Sequence, residues 1–157
     1  MKVRELMTKS VSTCEPNTNL AAAAIMMLDS DCGILPVVGS ENKLLGVLTD
    51  RDITIALATK GKMASEVFVH EVVQDHTDSC AQEDDMKRAL EIMADGKVRR
   101  LPVVNEEGVL QGIISINDAI GHVQPGTKKG LSETDVLMAL KSICGYQSTI
   151  PDQTMVH

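Results

Sequence analysis

Leu35-Pro36-Val37-Val38, followed by Gly46-Val47-Leu48-Thr49-Asp50-Arg51-Asp52, is the stretch on which the fold turns, because both pieces recur. Later in the chain stand Leu101-Pro102-Val103-Val104 and Gly112-Ile113-Ile114-Ser115-Ile116-Asn117-Asp118. One shift of 66 residues relates the two sets, and it aligns residues 3–54 with 69–120 without a gap. Fourteen of those 52 positions are identical, among them Val3/Val69, Glu5/Glu71, Cys14/Cys80, Met27/Met93 and Asp29/Asp95. Self-similarity on this scale marks a duplicated supersecondary unit.

Outward from the quoted stretch, each copy reads alike. Ser10 to Cys14 and His76 to Cys80 read as a short first strand. A helix follows, with apolar positions Leu20, Ala23, Ala24, Met27 and Leu28 in one copy. Met86, Ala89, Leu90, Met93 and Ala94 match them in the other. Both sets have the spacing of one buried helical face. Ile34–Val38 and Leu44–Leu48 form a hairpin across Gly39-Ser40-Glu41-Asn42, and Arg100–Val104 and Val109–Ile114 form its repeat across Asn105–Gly108. Pro36 and Pro102 lack an N–H and point to an edge or a strand entry. A second helix begins after Thr49 and after Ser115, the first running to Gly61. The module is β-α-β-β-α, twice, and two such modules bury their open faces by stacking sheet to sheet.

The tail is different. Gly121 to Gly130 is a Gly/Pro/Lys linker, Leu131 to Cys144 reads as a helix capped by Ser132-Glu133-Thr134-Asp135, and the residues after Tyr146 read as frayed. The apolar stripe of that helix (Val136, Leu137, Ala139, Leu140, Ile143, Cys144) needs a partner surface.

Composition narrows the function. In 157 residues there are one Phe, one Tyr and no Trp, and the net charge is −7. A stacking platform for single-stranded nucleic acid needs several aromatics, and phosphate-backbone binding needs a positive field; nucleic acid is set aside. The longest apolar run, Leu20 to Leu28, is too short to cross a bilayer, and no signal-like segment follows Met1, so the expectation is a soluble cytoplasmic protein without a membrane partner. Gly-rich phosphate loops, the nucleophile elbow and H-E-x-x-H are absent. Nothing marks a general base or catalytic metal, so no enzyme is expected. The four cysteines lie far apart, which in a reducing compartment reads as small buried hydrophobes.

Two constellations remain. Thr49-x-x-Asp52 and Ser115-x-x-Asp118 each end a strand and open a helix, with Arg51 and Asn117 between. Such a pair caps the helix, and a helix N-terminus is also an anion site. Lys97-Val98-Arg99-Arg100 is a local basic cluster in an acidic chain, and it reads equally as a phosphate clamp or as a solvent-exposed pair of arginines answering the many carboxylates. Alternation along a strand sends Arg99 and Arg100 to opposite faces, one to a cleft and one to solvent. The first copy has Asp31-Cys32-Gly33-Ile34 here, so a phosphate at that site relies on Arg51 or on charges from the other copy.

These repeated motifs resemble cystathionine β-synthase (CBS) domains, and the pair resembles a Bateman module over about residues 1–122. The resemblance implies a mixed α/β (α+β) fold, with CBS motifs at 1–61 and 62–122 in a pseudo-two-fold pair and a linker and helical tail at 123–157. It implies a non-catalytic regulatory module that requires no cofactor. Such a module binds AMP, ADP, ATP or S-adenosylmethionine between the motifs and signals to a regulated protein not yet identified. Asp52 and Asp118 would hold ribose, with Thr49 and Ser115 nearby. Ile34, Pro36, Val98 and Pro102 would surround the base, and Arg99 and Arg100 would touch phosphate. A homodimer forming a disk of four motifs is also implied. The competing reading is a redox- or zinc-responsive dimer that uses Cys14, Cys80 and a histidine, His70 and His76 being near one strand, without nucleotide.

Overall fold

The computed structural model describes residues 1–73, 76–123 and 130–145. Most of the expected linker (residues 124–129) and the end of the tail (146–157) therefore lie outside the described residues. The first copy holds α1 (Val3–Leu6), α2 (Leu20–Asp29), β1 (Ile34–Val38), β2 (Leu44–Thr49) and α3 (Asp50–Lys60). The second holds β3 (Cys80–Ala81), α4 (Met86–Gly96), β4 (Arg100–Val104), β5 (Leu110–Ser115) and α5 (Ile116–Gly121), and α6 (Glu133–Cys144) is the last element among the described residues. Both hairpins are antiparallel with matching registers, Pro36 opposite Val47 and Pro102 opposite Ile113. Caps fix the helix starts: Asn19 accepts from the Ala22 N–H and Asp85 from that of Lys87. Helix α3 stops at Gly61, whose φ of 62° is left-handed and favours glycine. Among the described residues no helix is long and apolar enough to cross a membrane.

The first strands are shorter than expected, and the prolines explain it. Cys14 makes one parallel bridge to Val37, and β3 has two residues. The Cys14 N–H donates to the Pro36 carbonyl and the Val38 N–H donates to the Cys14 carbonyl. The next rung toward the N-terminus would need a donor on Pro36, which has none. Pro36 and Pro102 therefore lie in the middle strand of three rather than at an edge, where they end the pairing of their neighbour.

Lys43 bridges Val109 in antiparallel fashion. These two residues are equivalent under the 66-residue shift, so a pseudo-two-fold axis passes between them. Around that axis the motifs exchange arms. Val3, from the start of the first copy, is fully buried in the core of the second, with Met86, Met93, Leu101 and Ile114. Val69, its counterpart, is fully buried in the core of the first, with Leu20, Leu35, Leu48 and Ile53. Backbone bonds hold each arm: Val3 N–H to the Asp84 carbonyl (2.9 Å), and Val69 N–H to the Thr18 carbonyl (2.9 Å). Thr8 continues the first arm along β5, and a Cβ on Gly112 would sit 2.6 Å from its carbonyl oxygen. Only glycine leaves room there.

Helix α6 packs on α4 and α5. Leu131, Val136 and Ala139 are buried against the second core, with Leu140 and Ile143 at its margin. This is the partner surface that the apolar stripe requires.

Candidate functional site, the clefts between the motifs

The pseudo-two-fold makes two clefts, and they are unequal. The larger, about 640 Å³, lies between the hairpin and α3 start of the first motif (Gly33, Ile34, Val47, Thr49, Asp50, Arg51) and the second motif's His76, Thr77, Asp78, Lys97, Val98, Arg99, Arg100 and Pro102. The smaller, about 180 Å³, is lined by Thr8, Ser10, Val11, Ser12, Ser30, Cys32, Ile34, Arg100 and Ile113. The 66-residue shift carries most of one lining onto the other. Small-molecule sites usually enclose roughly 300–1,000 Å³. Only the larger cleft is in that range.

Thr49 and Asp52 form a complete capping box at the start of α3. The Thr49 N–H and hydroxyl both donate to Asp52 Oδ2 (2.9 and 2.7 Å), while the Asp52 N–H donates to Thr49 Oγ1 (3.1 Å). Asp52 Oδ1 has no partner among the described residues. Ser115 and Asp118 repeat the arrangement at α5, at 2.7 and 2.6 Å. Gly33 is the close-approach point of the larger cleft: its carbonyl accepts the Asp50 N–H, and a Cβ there would lie 2.9 Å from Asp50 Oδ2.

Charge separates the clefts further. Arg51, Lys97, Arg99 and Arg100 line the larger one, against Asp50 and Asp78. Arg99 and Arg100 do not divide between cleft and solvent as strand alternation predicts. Arg99 precedes β4 and lies just after Lys97, a left-handed residue with φ 52°. The alternation rule does not reach it, and both residues line the larger cleft, Arg100 the smaller one as well. Lys97 and Arg99 therefore add positive charge to that of Arg51 beside the first motif's helix start, where the first copy's own Gly33-Ile34 has none.

Thr49, Arg51, Val98, Arg99, Arg100, Pro102 and Ile34 thus come together at the larger cleft. Asp52 stands behind Thr49 in the capping box, and Pro36, Ser115, Asn117 and Asp118 line neither cleft. Gly33, Val47, Asp50 and His76-Thr77-Asp78 line the larger cleft without having been singled out for a nucleotide, His76 having been considered only for a metal. The signal for the last three was present: the shift maps them onto Ser10-Val11-Ser12, which borders the other cleft. His76 Nε2 lies 3.9 Å from Asp78 Oδ1, and Arg99 Nη2 lies 3.9 Å from the Cys144 sulfur at the end of α6.

The cysteine reading fares differently. Cys14 is buried in the first core and Cys80 in the second. Desolvation raises the first thiol from 9.0 to about 11, and desolvation with the nearby Asp84 charge raises the second to about 12. His70 stacks on Phe68 (ring centroids 5.9 Å apart) rather than meeting His76. His157 lies outside the described residues. No group of three His, Cys, Asp or Glu residues placed to hold a metal occurs among the described residues. Thiolate is the nucleophile and the metal ligand, so Ellman's reagent at pH 8 is expected to label exposed Cys144 rapidly and Cys14 and Cys80 only on unfolding. Rapid labelling of all four thiols in the folded chain would contradict this.

A family model described as CBS domain matches residues 3–59 and 64–124. An inosine-5'-monophosphate dehydrogenase of Methanocaldococcus jannaschii is 37% identical over 120 residues, 76% of this chain but 23% of that one. The chain thus spans under a quarter of that relative. Hypoxic response protein 1 of Mycobacterium tuberculosis is 30% identical over 141 residues, 90% of this chain and 92% of that one. A crystal structure of Hypoxic Response Protein I with two coordinated zinc ions has a TM-score of 0.73 at 30% identity, covering 79% of this chain and all of that one. A CBS domain pair solved with 5'-methylthioadenosine and S-adenosyl-L-methionine has a TM-score of 0.69 at 22% identity, covering 77% and 94%.

Proposed function

We propose, since the chain belongs to the CBS domain family and carries its motif twice, that the larger cleft takes an adenosine-containing ligand with a phosphate tail. The module is read as regulatory and non-catalytic. The observation that carries this reading is the joining of the first motif's capped helix start to the second motif's Lys97, Arg99 and Arg100 across one cavity of about 640 Å³. Helix N–H groups and guanidinium donors together suit a phosphate. Ile34, Val47, Val98 and Pro102 supply apolar walls for a base, with no Phe, Tyr or Trp among the described residues that line the cleft. Because the lining comes from both motifs, a ligand that favours one packing of the motifs shifts the population toward it, and a partner protein can read that shift.

A thermal-shift panel of AMP, ADP, ATP and S-adenosylmethionine, with GTP as the contrast, tests the reading. A ligand at a hundredfold excess over its Kd adds about 2.7 kcal/mol, a rise of several degrees for a chain of this size. A flat response to all the adenine compounds at millimolar concentration would sink it. The zinc-bearing relative makes a metal the competing reading. Cys14 and Cys80, buried in separate cores with raised thiol pKa values, do not fit a shared zinc site.

A further inference from the structure

Arg99 faces two ways. It lines the larger cleft, and its Nη2 lies 3.9 Å from the sulfur of Cys144, the last residue of α6. That helix is held unevenly along its length. Ser132 caps its start, and Lys87 Nζ on α4 binds Asp135 at 3.0 Å. Leu131, Val136 and Ala139 are buried in the second core, whereas Leu140 and Ile143 lie at its margin and Cys144 is exposed. The chain leaves α6 through Gly145 at φ −58°, without the left-handed residue that commonly ties off the final carbonyls. A helix C-terminus carries partial negative charge over its last turn and attracts a cation. Arg99 brings one there, and it has no carboxylate within ion-pair distance among the described residues. Its neighbour Val98 also lines the cleft, and it packs against the second core at whose margin Ile143 lies.

We propose that α6 responds to the contents of the larger cleft: a phosphate bound there takes the Arg99 guanidinium from the end of α6, and the last turn loosens while the start stays seated. The coupling rests on the nucleotide reading of that cleft and adds the element that reports it. A charge-assisted bond from guanidinium to phosphate is stronger than one to a neutral sulfur and a partial helix charge. Two demands on one side chain make a coupling free energy, and such coupling is reciprocal. The hold of Arg99 on α6 therefore lowers the affinity for phosphate, and phosphate lowers the hold on α6. Only one cleft is wired in this way, because the 66-residue shift puts Gly33 at the position of Arg99.

Hydrogen exchange read by mass spectrometry on the full chain, with ATP and adenosine as the probes, tests the coupling. Saturating ATP is expected to cause loss of protection at residues 141–144 and none at 136–139. Adenosine, which has no phosphate, is expected to leave both segments as they were. Arg99→Ala is expected to lack protection at 141–144 before any ligand is added. Cys144→Ala, which frees Arg99 from the other side, is expected to bind ATP roughly two- to fivefold more tightly, the worth of one weak hydrogen bond, with adenosine unchanged. ATP that binds and leaves 141–144 protected would overturn the coupling and leave the nucleotide reading standing. So would a Cys144→Ala variant whose ATP affinity is unchanged or lower, or one that tightens ATP and adenosine alike. A chain that binds no adenine compound would remove both.

Discussion

Val69→Ala is expected to loosen the first motif, although residue 69 belongs to the second repeat. Its side chain is fully buried among Leu20, Ala23, Met27, Leu35, Val37 and Leu48. Its N–H donates to Thr18, while Leu20 and His70 bond the Val67 and Pro16 carbonyls around it. Removing two methyl groups from such a site costs about 2 kcal/mol in transfer and cavity terms. A small domain has only about 5–15 kcal/mol in total. Val69→Asp adds an unpaired buried carboxylate and is expected to prevent folding. Native-state hydrogen exchange on Val69→Ala reads the location directly. Protection should fall first in α2 and β1, and the counterpart Val3→Ala should weaken α4 and β4. Each core contains a piece of the other copy, so urea unfolding of either variant should stay a single transition with a lowered midpoint. Weakening confined to each residue's own repeat would contradict the exchanged arms.

That exchange shows where sequence reading stops. The repeat, the two hairpins and the buried faces of α2 and α4 are all legible, because each is carried by local periodicity and by turn residues such as Asn42 and Gly108. Val3 and Val69 align under the shift whichever core receives them, so nothing local reports the crossing. Pro36 is read as an edge signal because the rule concerns a strand's own missing donor. In the sheet that same missing donor instead cuts short the neighbouring strand at Cys14. The charge asymmetry between Gly33-Ile34 and Arg99-Arg100 is visible in the sequence. That Arg99 and Arg100 share one cleft is not, because it depends on the left-handed turn at Lys97 that puts Arg99 ahead of β4. Ser115-x-x-Asp118 shows how little the motif's form says about the cavity beside it. A motif identical in form to Thr49-x-x-Asp52 lines neither cleft among the described residues, and the cleft equivalent to the larger one measures only about 180 Å³.

Replacing Arg99 and Arg100 together by alanine is expected to separate the phosphate from the nucleoside. Hydrogen bonds to charged groups contribute about 1.5–3 kcal/mol each, and 1.4 kcal/mol is tenfold in affinity. Loss of even one such contact should therefore weaken ADP or ATP by roughly ten- to a hundredfold. Adenosine, which has no phosphate, should bind the variant as it binds the parent, since Ile34, Val47 and Pro102 remain. Both arginines are exposed, and neither has a carboxylate partner within ion-pair distance among the described residues, so the unliganded melting temperature should change little. Isothermal titration at two salt concentrations adds a second readout. Phosphate held by guanidinium groups loses affinity as salt rises, and the double variant should lose most of that dependence. Equal weakening of adenosine and ATP would assign the arginines to the shape of the cleft rather than to phosphate. Unchanged ATP affinity would move the phosphate away from both arginines, to Lys97, Arg51 and the start of α3 in the same cleft.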